Sequence, residues 1–417
     1  MFQGLSLDQA PPYKIPLQFY ITATLYLIAF SILFAIYSTS IQSRFDYNAI
    51  ALTHFLTLGF LTHIMFGSMF QMIPVMLGIP YKNVVRNANI IYYTLNLGTL
   101  LFVSGFLTTK TALLHAGGSL LLLSLLYFSL LSLKTVLSSE NKDFMVKTFA
   151  ASFASLTLGA LFGFLALLCH VGVIQNPYFG DLHIAFMLFG WIFLLINAVS
   201  YKIIPMFFVA KEFPTYIKNG VYITVLAALL FFGVLRELEL FTLANGVALL
   251  LVFVVISFAL LSIQTLRSRK RKRKDISITL WYFSMTNITI AAILFALSLF
   301  YSFAYLDIAI GFFMLFGGVY ALINAMLYKI VPFLTWFHLS SSMVFEAEMA
   351  NVIVKKDMQR QVNLYYGAYM LMLLSPFVDY APLIAALLFT LSALLLCKNI
   401  ISGYKYYKEY ITKAMTI

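Results

Sequence analysis

The amino-acid sequence predicts an all-α, polytopic membrane protein of about twelve transmembrane helices, built as three repeats of four helices each. Three observations lead there. Of the 417 residues, 62% are hydrophobic and only 10% charged, with a mean hydropathy of +0.94, whereas charged side chains make up about a quarter of an ordinary soluble domain. Apolar runs of about 20 residues, enough for a helix to cross the hydrocarbon core, start near Leu17, Ala49, Ala88, Thr111, Thr148, Asp181, Val221, Phe241, Ile276, Asp307, Leu364 and Ala381. Finally, one element occurs three times. Residues 181–205 read DLHIAFMLFGWIFLLINAVSYKIIP, residues 306–332 read LDIAIGFFMLFGGVYALINAMLYKIVP, and residues 51–74 read ALTHFLTLGFLTHIMFGSMFQMIP. Gly59 and Pro74, Gly190 and Pro205, and Gly317 and Pro332 are each 15 residues apart, and the three prolines follow one another at 131 and 127 residues. A long fixed period anchored on Gly and Pro marks internal repetition. The predicted repeats are residues 1–140, 141–272 and 273–417, together one transmembrane domain.

Charge placement sets the expected orientation. The formal charge is +12, and with the N-terminus inside, all of the 27 lysines and arginines except Arg44, Lys110 and Arg236 fall on the inner side. Cytoplasmic loops carry such an excess, so both termini are expected in the cytoplasm, with the chain in a bacterial inner membrane. The basic run Arg267, Arg269, Lys270, Arg271, Lys272, Arg273, Lys274 reads as a topology determinant against anionic lipid, not a nucleic-acid patch. The N-terminus has no basic region followed by a short apolar run and a small-residue cleavage site, so no signal peptide is expected. Cys169 and Cys397 are placed at opposite faces, too far apart to bridge.

Taken in order, span one (residues 17–37) has no charge. Asp46 or Asn48 is expected to cap span two, and Asp181 and Asp307 to cap spans six and ten, because a carboxylate or amide side chain accepts exposed backbone N–H groups. Span two holds His54, His63, Met65, Met69, Met72 and Met76. At 100° per residue His54 and the four methionines share one face and His63 lies opposite. Such a stripe can pass Cu(I) but reads first as flexible packing. His115 begins span four and Cys169-His170 ends span five. His54, His115, His170 and His183 all fall in the outer half, His63 near mid-membrane and His338 inside. Ionisable residues within spans are costly and usually functional. His54 and His183, set in the repeated element, are the leading haem or metal ligands, with His170, His115 and His63 in reserve; interfacial anchoring is the other role for His115 and His170. Asn197 and Asn324 are equivalent positions, and buried asparagines join helices. Lys202 and Lys329 also correspond and are expected to snorkel to the interface; a proton relay is the alternative. Residues 343–356 are expected to form an amphipathic helix on the inner surface. The sequence has no phosphate loop, nucleophile elbow, HExxH or CxxC, so soluble-enzyme chemistry is not supported.

The architecture resembles subunit I of the haem-copper oxidases, twelve spans with pseudo-threefold symmetry. The run His183-x6-Gly190-Trp191-x9-Tyr201-Lys202-x2-Pro205 resembles the haem-ligand helix of C-type oxidases and nitric oxide reductases, where a His-x-His pair precedes Gly-Trp and Tyr-Tyr-Leu-Val-Pro closes the helix. His54, followed by Gln71-Met72-Ile73-Pro74-Val75-Met76-Leu77-Gly78, resembles the span-two helix carrying the low-spin haem ligand. The chain departs from the family where Ala185 replaces the second histidine of the pair, where Ile310 and Phe312 stand for the ligand pair of span ten, and in span seven, which lacks adjacent histidines. The resemblance therefore implies a divergent relative, near the NnrS-like proteins, binding haem b and/or copper towards the periplasmic side without an intact binuclear centre. It implies a role in respiratory redox or nitrogen-oxide metabolism, with an electron-donor protein or quinol as partner. The alternative on the same scaffold is a copper- or haem-handling factor or a transporter.

Overall fold

In hydrocarbon every backbone N–H and C=O must be satisfied by the protein itself, and a chain this apolar does so within helices. The computed structural model describes residues 6, 9–270, 272–375, 377–378 and 380–415, and among them there is no strand. Twelve long helices follow in order: α1 Lys14–Ser40, α2 Tyr47–Leu77, α3 Val84–Thr108, α4 Thr111–Leu137, α5 Phe144–His170, α6 Phe179–Phe208, α7 Thr215–Glu237, α8 Phe241–Arg267, α9 Ile276–Ser298, α10 Leu306–Ser341, α11 Lys355–Leu374 and α12 Ala381–Ala414. Every predicted span falls on one of them. Among the described residues, eleven are long and apolar enough to cross a membrane. The other, α11, has 20 residues and opens on Lys355, Lys356, Asp357 and Arg360, upstream of the predicted start at Leu364. The chain is a polytopic, all-α membrane protein.

The three similar sequence segments lie in α2, α6 and α10, and none of these is a uniform α-helix. Each contains a π-helical stretch: Phe55–Thr62, Phe186–Phe193 and Phe312–Tyr320. Gly59, Gly190 and Gly317 lie inside these stretches, and Pro74, Pro205 and Pro332 lie in the α-helical part that follows. The glycine has a steric reason. A Cβ on Gly59 would sit 2.7 Å from the Tyr26 ring of α1, and one on Gly190 would sit 2.4 Å from Ser155 Cβ of α5. A π turn also disturbs the regular ladder, and its carbonyls need partners. Ser152 of α5 donates to the Trp191 carbonyl at 3.0 Å, and Ser284 of α9 donates to the Gly318 carbonyl at 2.8 Å. In both cases the acceptor is the residue after the glycine.

The described residues form two compact units, one within 89–273 and 285–310, the other within 6–88, 274–284 and 311–415. In the first, α5 is the centre, packed on α4, α6 and α7, with α8 along α7. In the second, α12 packs on α1, α10 and α11, and α1 also lies along α2.

Several local expectations are corrected. Residues 343–356 do not form an amphipathic helix; apart from the short 3-10 turn Met349–Asn351 and the start of α11, they are irregular. Val344 and Ala347 are buried beneath Tyr406, Tyr407, Tyr410 and Ile411 of the long α12, and Ser402 donates to the Val352 carbonyl. Tertiary burial and side-chain hydrogen bonds thus replace the helix. Asp46 occupies the N-cap position of α2, but its carboxylate accepts from Gln42 and Ser43 N–H at 2.7 and 2.8 Å, closing the preceding loop. Those two donors hold its carboxyl below the usual range. Asp181 lies in the first turn of α6 and pairs with Arg236 of α7 at 2.5 Å, and Asp307 lies within the first turn of α10. Asp143 is a side-chain cap, accepting from Met145 and Val146 N–H of α5 at 2.9 and 3.0 Å. The common face drawn through His54 and the methionines assumed a uniform helix. A π turn takes up more residues than an α turn, so residues 55–62 rotate His63 and the methionines away from that register.

Candidate functional site

Three of the sequence candidates, His54, His63 and His183, lie close to π stretches. His54 is the last α-helical residue before the stretch in α2, and His63 is the first after it. The His54 Nδ1 lies 2.8 Å from the Ile50 carbonyl, one α turn back. The His63 Nδ1 lies 2.9 Å from the Leu58 carbonyl, five residues back, an oxygen inside the π stretch. His63 is wholly buried, its ring 6.0 Å from that of Phe19 and 5.2 Å from that of Tyr26. In α6 the His183 Nδ1 lies 2.8 Å from the Gly159 carbonyl of α5. The imidazole seats there because α5 has no side chain in its way. A Cβ on Gly163, one turn after Gly159, would come within 2.6 Å of that nitrogen.

The chemistry of these three contacts is the same. A backbone carbonyl only accepts, so Nδ1 must carry the ring proton and donate. That puts the lone pair of each neutral imidazole on Nε2, the state in which histidine binds metals, with the second nitrogen held by a carbonyl.

The other candidates are placed differently. His115 is half-buried in the first turns of α4. His170 is exposed at the end of α5, 5.3 Å from the Phe106 ring. His54 and His63 belong to one unit, and His115, His170 and His183 to the other. Among the described residues no group of three or more His, Cys, Asp or Glu side chains is placed to hold a metal ion. Both cysteines are free, and the Cys169 thiol donates to the Asn176 carbonyl at 3.3 Å.

Sequence reasoning singled out Asn324 as a helix-joining asparagine but missed the rest of a polar cluster around it, in the unit containing α11 and α12. Asn324 Nδ2 and the Tyr328 hydroxyl both donate to Gln361 Oε1, at 3.1 and 2.8 Å. Gln361 Nε2 donates to Ser392 Oγ at 2.8 Å, Ser392 donates to the Gln361 carbonyl at 3.1 Å, and Asn399 Nδ2 donates to the Tyr328 oxygen at 3.0 Å. All five residues are buried, and none carries a charge. The Asn-x3-Tyr spacing was visible in both copies, but only Asn324 reaches another helix. Asn197 donates to the Phe193 carbonyl of its own helix and accepts from Tyr201. The partner of Asn324, Gln361, lies in α11, and the α12 members Ser392 and Asn399 bond to Gln361 and Tyr328. Lys329 does not simply snorkel: it pairs with Asp275 at 2.5 Å, both side chains being partly exposed. At the position matching Lys202 and Lys329, three residues before the proline, α2 has Gln71, 3% exposed with neither amide atom hydrogen-bonded.

No protein-family model matches the chain, and no curated protein matches it significantly.

Proposed function

We propose that the protein is a haem-copper oxidase superfamily-like membrane protein that binds haem b and/or copper through His54 and His183, without an intact binuclear centre. The reading places each of these histidines towards the periplasmic side of a bacterial inner membrane, with both termini cytoplasmic and the four-helix repeats read as a pseudo-threefold set. It assigns a role in respiratory redox or nitrogen-oxide metabolism. One observation supports it above the others: at His54 and His183 a carbonyl holds the Nδ1 proton and directs the lone pair to Nε2. Haem iron takes one or two axial imidazoles in an apolar pocket, and copper takes a few His, Met or Cys donors. Bound haem or copper would supply one-electron transfer; the chain's part is to present each imidazole in one tautomer and one orientation. The test is the absorption spectrum and metal content of the purified full-length protein. A Soret band with reduced α and β bands, lost in His54→Ala or His183→Ala and kept in Lys202→Ala, is the expected result. Unchanged haem and copper in both folded histidine variants would refute the ligand assignment.

A second reading, a copper- or haem-handling factor or a transporter, is favoured by the π stretches within α2, α6 and α10 and by the uncharged polar cluster of α10–α12. π turns inside α-helices are frequent at functional sites. A colourless protein carrying copper would select handling, and one with neither cofactor would select transport.

A further inference from the structure

The connection after α6 and the connection after α8 are clipped together by two hydrogen bonds. Lys270 N–H donates to the Val209 carbonyl at 3.0 Å, and Lys211 N–H donates to Ser268 Oγ at 3.1 Å. Val209 ends α6 in the left-handed region, with φ 52°, where a β-branched residue is a genuine outlier. That turn points its carbonyl at Lys270. The basic run does not trail away from α8 either. Arg269 Nη1 donates to the Leu266 carbonyl at 3.1 Å and Lys272 Nζ to the Arg267 carbonyl at 2.7 Å. These two cations serve the carbonyl end of the helix, where basic side chains are favourable. Lys211, Arg267, Lys270 and Arg273 are exposed around it. The one carboxylate in residues 209–218 and 265–273 is Glu212, and it pairs with Lys218 at 2.7 Å. The clip therefore adds the cation of one loop to those of another, with no acid left to balance them.

Depth selects the partner. The 27 residues of α8 extend about 40 Å at about 1.5 Å per residue, close to the full bilayer of about 40–45 Å with its headgroup layers. Arg267 is the last of them, so residues 268–273 and the loop clipped to them lie at headgroup depth. We propose that Lys211, Arg267 and Lys270 form a docking site for the phosphate of an anionic phospholipid, with Arg273 at its edge. Clustered cations beside a span attract anionic lipid, and their N–H groups make charge-assisted hydrogen bonds to phosphate oxygens. Lys211 distinguishes this site from the basic run alone, because only the folded chain brings it there. The site is independent of the histidines and of which leaflet it faces.

The test is binding of acyl-chain-labelled phosphatidylglycerol to the full-length protein in neutral detergent micelles, read by fluorescence anisotropy. A cation near the membrane surface contributes about fivefold to the binding of anionic lipid. Lys211→Gln and Lys270→Gln should each weaken binding by about fivefold, and the double variant by about 25-fold. The charge-keeping Lys211→Arg/Lys270→Arg variant should bind as the wild type does. Lys405 and Lys408 are exposed on α12, and Lys405→Gln/Lys408→Gln removes the same charge elsewhere and should leave binding unchanged. Equal weakening by the two double Gln variants would show diffuse attraction and overturn the site. Weakening by Lys270→Gln without weakening by Lys211→Gln would show the basic run acting alone and overturn it too. Inorganic phosphate and a short single-stranded oligonucleotide are the competing probes. If either binds with this dependence on Lys211 and Lys270 while phosphatidylglycerol does not, the occupant is a soluble anion and the proposal fails.

Discussion

Gly190→Ala should destabilise the unit built on α5, and Gly246→Ala should not. A Cβ on Gly190 would lie 2.4 Å from Ser155 Cβ, 2.6 Å from its Oγ and 3.1 Å from Leu229 Cδ1. Carbon atoms in comfortable contact are about 3.5–4.0 Å apart. A Cβ is fixed to its backbone, so Ser155 cannot rotate out of the way, and α5 must retreat from α6 by about 1 Å to restore that contact. The retreat stretches the 3.0 Å bond from Ser152 to the Trp191 carbonyl past its useful range. Overpacking costs about 1–3 kcal/mol, the lost hydrogen bond about 1 kcal/mol, and the better helix propensity of Ala returns about 1 kcal/mol. The net loss is about 1–3 kcal/mol, a roughly 5- to 150-fold fall in the folded-to-unfolded ratio. Around Gly246 in α8 no heavy atom lies within 4 Å of a built Cβ. There only the propensity applies, and the same substitution should stabilise by up to about 1 kcal/mol. Unfolding by sodium dodecyl sulfate in mixed micelles, followed by helical circular dichroism, measures both. If the two variants shift stability in the same direction, the glycine of the repeated element is not there for steric reasons.

Two other outcomes follow from the geometry. Gly163→Ala, whose Cβ would lie 2.6 Å from His183 Nδ1, should displace the imidazole from the Gly159 carbonyl and, on the proposed ligation, lower haem or copper content to the extent expected of His183→Ala. Unchanged content in Gly163→Ala would show that this seat is not needed for ligation. Between α6 and α7, the exposed Glu212 pairs with the buried Lys218 at 2.7 Å, and that ammonium holds the Glu212 carboxyl below its ordinary value. A depressed carboxyl adds stability that is present above the unfolded carboxylate range and lost as pH falls through the folded value. The melting-temperature gap between wild type and Glu212→Gln should therefore be small, because the carboxylate is exposed, and should close on acidification. A gap that widens towards acid would contradict the pairing.

The fold class was legible because one physical requirement dominates this sequence: apolar runs long enough to span have to be helices. Positions 59, 190 and 317 were legible too, since Gly and Pro report backbone geometry directly. The π stretches were not. Phe55–Thr62, Phe186–Phe193 and Phe312–Tyr320 are mostly apolar and carry no charged residue, so no charged face shifts register to betray the wider turn. Asp46 and Asp181 illustrate a second limit. Capping is a local expectation, and each carboxylate instead found other donors, a loop backbone for Asp46 and Arg236 for Asp181. The cluster around Gln361 was hidden for a third reason. Its members come from three helices, and Gln361 sits in the basic opening of α11, which hydropathy alone had left outside the span.

The π stretches also explain why the scaffold is easier to read than the chemistry. Each leaves carbonyls off the regular ladder, and different side chains answer them. In α2 the answer to Leu58 is the imidazole of His63. In α6 the answer to Trp191 is the hydroxyl of Ser152. In α10 the Tyr365 phenol donates to the Phe316 carbonyl at 2.6 Å, and Ser284 donates to that of Gly318. The glycine, the proline and the wide turn are common to the three helices, while the donor on each is particular to its surroundings. The π stretch of α10 forms with Ile310 and Phe312 at its start and no imidazole within it, so the backbone device does not depend on a histidine, and any chemistry has to be argued from the individual side chains around each turn.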